Sequence, residues 1–276
     1  MGRRSERPIE RAPGVGVSVD GGTLALKLVV SPSLILAVSL VGRRWGEAVG
    51  GWLVGLPISS GPVVFFLALE HGRSFAAGSA TGSIAGVIAQ AAFCLGYGWA
   101  AGFVGIAGAL LAGSLCFAAA GWTVYALALP IVPLFVLTAA ALAAAIVAFP
   151  RRTTAQTAGP KLRNDLVLRM LVAAVVVLGI TSAASTLGPR LSGLLTGYPV
   201  MASILASFAY RSFGPGGARL VLGGLLLGLY GFATFFLVLG IAIEPLGIPV
   251  GFALALTGAL LVHGVALAVM WRRGTR

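Results

Sequence analysis

Between residues 101 and 149 the chain carries no charged residue at all, a run of 49 positions. As one helix rising about 1.5 Å per residue it would be more than twice as long as a hydrocarbon core of about 30 Å needs. Two passes are therefore expected, near 102–120 and 128–149, with Gly121, Trp122 and Tyr125 between them, where amphipathic rings settle at the membrane surface. The rest of the chain agrees, since 58% of residues are hydrophobic and only 9% charged. Globular proteins hold about 25% charged residues. The apolar runs are continuous and do not alternate with period two, which excludes a β-barrel. The expected fold is an all-α integral membrane protein.

A second feature sets the organisation. The stretch 51–72, GWLVGLPISSGPVVFFLALEHG, returns 142 residues later as 193–214, GLLTGYPVMASILASFAYRSFG. Gly51, Leu53, Gly55, Pro57, Phe66 and Gly72 fall on Gly193, Leu195, Gly197, Pro199, Phe208 and Gly214. The register continues without a gap: Gly82 and Gly86 fall on Gly224 and Gly228, Phe93 on Phe235, Gly98 on Gly240, and Gly105 on Gly247. This reads as two related four-span halves, 23–120 and 166–271, joined by a connecting helix and polar linker over 121–165. A polar N-terminal tail, 1–22, and a basic C-terminal tail, 272–276, flank them; the N-terminal tail is too polar to offset its ordering entropy.

Spans are expected at 23–42, 48–69, 74–97, 102–120, 128–149, 168–187, 191–210, 217–240 and 248–271. Nine crossings in a four, one, four arrangement make the halves face opposite ways, the inverted repeat found in many secondary transporters. Counting basic residues puts the C-terminus and the 150–165 linker in the cytoplasm, with 12 of 19 basic residues on that side. Eight spans also fit, either if 23–42 fails to cross or if 101–149 crosses once; the latter would make the repeats parallel.

The formal charge of +12 does not indicate nucleic acid, because the arginines sit in short gaps between apolar runs and not on a soluble basic face. Cys94 and Cys116 have no metal-like spacing and read as packing residues. With two histidines and no motif around either, no catalytic triad or metal site can be assembled, so neither enzyme nor cofactor is expected. The expected partners are the bilayer and a small-molecule solute.

Polar residues inside apolar spans are the candidate binding residues. Pro57 and Pro62 each remove a backbone donor and would loosen a helix near mid-membrane, freeing carbonyls that Ser59 and Ser60 could join in holding a solute. Tyr198, Pro199 and Ser203 occupy the corresponding part of the second copy. The two proline-bearing helices are expected to abut near the symmetry axis, with Gly50, Gly51 and Gly193 permitting close approach. Glu70 and His71 close the first proline helix, with Arg73 as an expected partner of the carboxylate. Gln90 and His263 lie within later spans. Gly78, Gly82 and Gly86, with Gly224 and Gly228, are spaced by four residues and are expected to pack against other helices. A kinked packing helix whose serines bond back to their own carbonyls would use the same residues.

The second copy resembles the GlpM-type inner-membrane proteins, small four-span units, in Gly193-Leu194-Leu195, the Tyr198-Pro199 pair, Ala202 and Ile204, followed by a Gly- and Phe-rich helix. The likeness covers about 170–271 and, less closely, its duplicate, where Leu56 stands in place of the aromatic and Ser60-Gly61-Pro62 is added. It implies a bacterial cytoplasmic membrane protein and a role in envelope or polysaccharide assembly. The layout also looks like the drug/metabolite transporter superfamily, which implies movement of a small solute.

Overall fold

The computed structural model describes residues 33, 36–58, 60–150, 171, 172, 175 and 198–274. Every regular element among them is helical. In chain order these are α1 (36–45), α2 (Glu47–Val54), α3 (Ser60–His71), α4 (Arg73–Ala100), α5 (Gly105–Leu127), α6 (Ile131–Ala148), α7 (Val200–Leu246) and α8 (Ile248–Gly274). Five of them, α4 to α8, are long and apolar enough to cross a bilayer, as an integral membrane protein requires.

The expected pair of passes in the uncharged stretch is present as α5 and α6. Ala128 takes a left-handed conformation (φ 44°) and Pro130 caps α6, so the chain reverses there. Trp122 and Tyr125 stand exposed on the last turns of α5.

The expected single span 48–69 is two helices. α2 ends at Val54, residues 55–58 form turns, and α3 begins at Ser60. Pro57 is the break. Pro62 lies in the first turn of α3, where a missing N–H breaks no bond within the helix, so it is tolerated at a helix start where the sequence suggested that it would loosen a helix.

α7 is also two helices joined at a bend. Gly214 has φ 67°, which only glycine adopts cheaply, and Pro215 follows it; the arms are α7a (200–213) and α7b (215–246). The sharp stop at Gly72 (φ 89°) and the entries at Gly105 (φ 70°) and Gly247 (φ 80°) use the same device. Gly72 and Gly214 are separated by 142 residues, and so are Gly105 and Gly247. Two hydrogen bonds share this spacing: Gly61 N–H donates to the Pro57 carbonyl (2.8 Å) and Ser203 N–H to that of Pro199 (2.9 Å).

α7 is the centre of the bundle, 56% buried along its apolar stretch against 17% for α5. α4 lies antiparallel to α7b. Arg73 at the start of α4 donates to the Glu244 carbonyl near the end of α7b (3.0 Å), and Arg219 near its start donates to the Gly98 carbonyl near the end of α4 (2.9 Å). Among the described residues two large apolar clusters and a small one around Ile204 and Phe208 fill the interior. One large cluster, with Phe93, Tyr97, Leu222 and Leu226, lies toward the α4 C-terminus; the other, with Ile84, Phe235, Phe236 and Leu239, lies toward the opposite end of the α4–α7b pair. Large apolar side chains such as Phe103, Val147 and Leu261 remain exposed, as a lipid-facing surface allows.

Candidate functional site

The break between α2 and α3, the start of α7a and a set of half-buried hydroxyls are the candidate site. Tyr198-Pro199, the sequence counterpart of Leu56-Pro57, directly precedes α7a, which starts at Val200. Pro57 and Pro199 are both buried. The Tyr198 ring is held edge-on between Phe93 (5.8 Å, 82°) and Phe117 (5.6 Å, 78°). Its hydroxyl lies 2.8 Å from that of Ser114 in α5. Ser114 spends its single proton on the Leu110 carbonyl (2.8 Å), so Tyr198 is the donor of this pair.

The same logic orders the neighbouring pair. Ser207 donates to the Ser203 carbonyl (2.7 Å), so Tyr97, 3.4 Å away, is the donor to Ser207 in a longer bond. Once these protons are placed, the oxygens of Tyr198 and Ser114 keep unused lone pairs among the described residues. A further partner at this point would have to supply a hydrogen-bond donor. Nearby, Arg219 is only 8% exposed and crosses to the Gly98 carbonyl near the C-terminus of α4, where a cation meets the negative end of the helix dipole.

The other sequence-derived candidates scatter. Ser203 is buried and returns its hydroxyl to the Val200 carbonyl (2.8 Å). Ser60 and Gln90 are half-buried, Pro62 is exposed, and Ser59 lies outside the described residues. Glu70 sits beside His71 (3.9 Å) on the exposed end of α3, while Arg73 turns its guanidinium to Glu244. His263 is 2% exposed and stacks at a tilt on Trp52 (5.1 Å); neither ring nitrogen meets hydrogen-bond geometry among the described residues. Gly231 makes room for it, since a Cβ there would overlap the imidazole.

The glycines divide by helix. A Cβ on Gly224 would meet the Ala48 carbonyl oxygen and one on Gly228 that of Trp52, while Cβ atoms on Gly51 and Gly55 would run into the backbone at Val221 and Gly228. Backbone touches backbone where α2 crosses α7b. On Gly78, Gly82 and Gly86 an added Cβ meets no described atom within 4 Å. The glycine face of α2 also meets α7b, where the sequence had placed it against the second proline helix.

Sequence reasoning missed Tyr97, Ser114, Ser207, Arg219 and the partner role of Gly55. Arg219 lies inside the expected span 217–240, and a basic residue at that place beside an apolar run was the available signal. The hydroxyl pairs join residues 84 and 110 apart, which no local spacing reveals.

Tyr198→Phe keeps the ring contacts and removes one neutral hydrogen bond, so a loss of about 0.5–1.5 kcal/mol in detergent stability is expected. A denaturation series that finds no change would show that the Ser114 contact contributes nothing.

No family model, curated protein or solved structure matches this chain.

Proposed function

We propose that this protein is a membrane transporter of a small polar solute, built as an inverted repeat of two four-span halves joined by α6, with its C-terminus in the cytoplasm. The observation that carries the reading is the interruption between α2 and α3 at 55–58, whose sequence counterpart Tyr198-Pro199 opens α7a next to half-buried hydroxyls with unused lone pairs. Discontinuous helices in membranes persist where their freed backbone groups face protein or a cavity, and transporters place their substrates there. The antiparallel α4 and α7b, which correspond at an offset of 142, support the inverted arrangement. The lone pairs at Tyr198 and Ser114 favour a solute that donates hydrogen bonds.

The second reading is a non-transporting accessory protein of envelope or polysaccharide assembly, as the likeness to GlpM-type proteins implies. The exposed Glu70-His71 end of α3 would suit a docking contact in that role.

Thiol accessibility separates the two. In a background with Cys94 and Cys116 replaced by Ala, Ser114→Cys and Ser60→Cys are expected to react with a charged, membrane-impermeant thiol reagent. Val104→Cys, at an exposed turn, serves as the labelled control. If the control labels and neither site does, there is no aqueous route to the candidate site and the accessory reading takes its place.

A further inference from the structure

The observed crossing of α2 on α7b has an exact counterpart in the sequence that no described contact fills. Four glycines make that crossing possible, Gly51 and Gly55 on α2 and Gly224 and Gly228 on α7b, each with a Cβ position occupied by backbone of the other helix. Shifted by 142 in the appropriate direction, these become Gly193, Gly197, Gly82 and Gly86, so glycine stands at all four positions. Val221, whose carbonyl receives Gly51, becomes Ser79.

We propose that the glycine face of α4 at Ser79, Gly82 and Gly86 is the docking surface for the chain's own residues 190–197, in a second crossing equivalent to that of α2 on α7b. Three observations point to this occupant. Gly82 and Gly86 present a helix surface on which an added Cβ meets no described atom, although their counterparts are tightly covered. The contacts between α4 and α7b obey the exchange that a two-fold relation requires: Gly98 pairs with Arg219, and the shifted pair, Gly240 with Ala77, is also in contact, a Cβ on Gly240 lying 3.8 Å from the Ala77 carbonyl oxygen. The chain also re-enters the described structure at Tyr198, already packed on Phe93 of α4, one residue beyond Gly197. Eight residues span about 12 Å even at the short rise of a helix, enough to reach back roughly two turns of α4 from residue 93 toward Gly86 and Gly82.

The exchange also singles out Gly78. Its counterpart is Leu220, which is not among the residues of the α2 crossing, so Gly78 has no call for glycine in this arrangement. The inference rests on the duplication and not on the transport reading, so the thiol-accessibility result above leaves it standing or falling separately.

Two measurements test it on the full-length protein. Gly82→Leu and Gly86→Leu are expected to lower the detergent melting temperature by several degrees, with Gly78→Leu close to wild type. Equal tolerance of all three would overturn the proposal. Should the leucine variants fail to fold, cross-linking keeps the question open to an answer. In the background lacking Cys94 and Cys116, Ser83→Cys with Leu194→Cys is expected to form an intramolecular link with a short bifunctional maleimide. A link found only between two copies would mean that a second chain covers this face. No link, with each cysteine labelling singly, would mean that 190–197 lies elsewhere.

Discussion

Gly224→Leu is expected to melt well below the wild type in mild detergent. The first atom of the new side chain would overlap the carbonyl oxygen of Ala48, which is backbone of α2 and has no rotamer to move. The helices must separate, and with them Gly228 from Trp52 and Gly51 from Val221. Overpacking of this kind costs at least the usual range of about 1–3 kcal/mol. A fall of about 5–10 °C in melting temperature follows for a chain of this size. Gly264→Ala is the comparison: an added Cβ there meets nothing described within 4 Å, and the change should be neutral or slightly stabilising because alanine has the better helix propensity. If Gly224→Leu melts with the wild type, α2 does not lie on α7b.

Arg219→Ala carries the second large effect. The guanidinium leaves water almost completely and its Nε–H donates to the Gly98 carbonyl at 2.9 Å. Hydrogen bonds to charged groups contribute about 1.5–3 kcal/mol, and truncation also empties the space occupied by the aliphatic stem. Arg219→Lys keeps a cation near the end of the α4 dipole but presents an ammonium in place of the planar fork, so it should recover part of the loss only. The expected order of stability is wild type, then Lys, then Ala. Lysine and alanine variants both as stable as wild type would show that the contact merely accompanies the fold.

The two results bear on different joints of the molecule. Gly224 reports on how α2 sits on the central helix, and Arg219 on how the end of α4 is tied to the start of α7b.

The membrane class, the two passes within 101–149 and the interruption at Pro57 were legible from the residues alone. Each follows from a local rule: the length of a helix across lipid, the absence of charge, and the amide that proline lacks. The positions of the positive-φ glycines were legible only as matched letters; that Gly72 and Gly214 are both chain breaks needed the backbone. Pro57 and Pro62 look alike as a pair of helix breakers. They differ because Pro62 falls in the first turn of α3, where a missing donor costs nothing.

What only the tertiary structure decided is which of several identical patterns has a neighbour. Gly82 and Gly86 share the spacing of Gly224 and Gly228, yet the second pair is pressed against α2 and the first meets no described atom. Arg219 has the composition of a topology signal and the position of a buried tie. Ser114 finds Tyr198 across 84 residues. Periodicity fixes which residues share a helix face, because that is set by the 3.6-residue turn within one helix. It cannot fix what the face meets, because that depends on another part of the chain brought there by the packing of every helix between them.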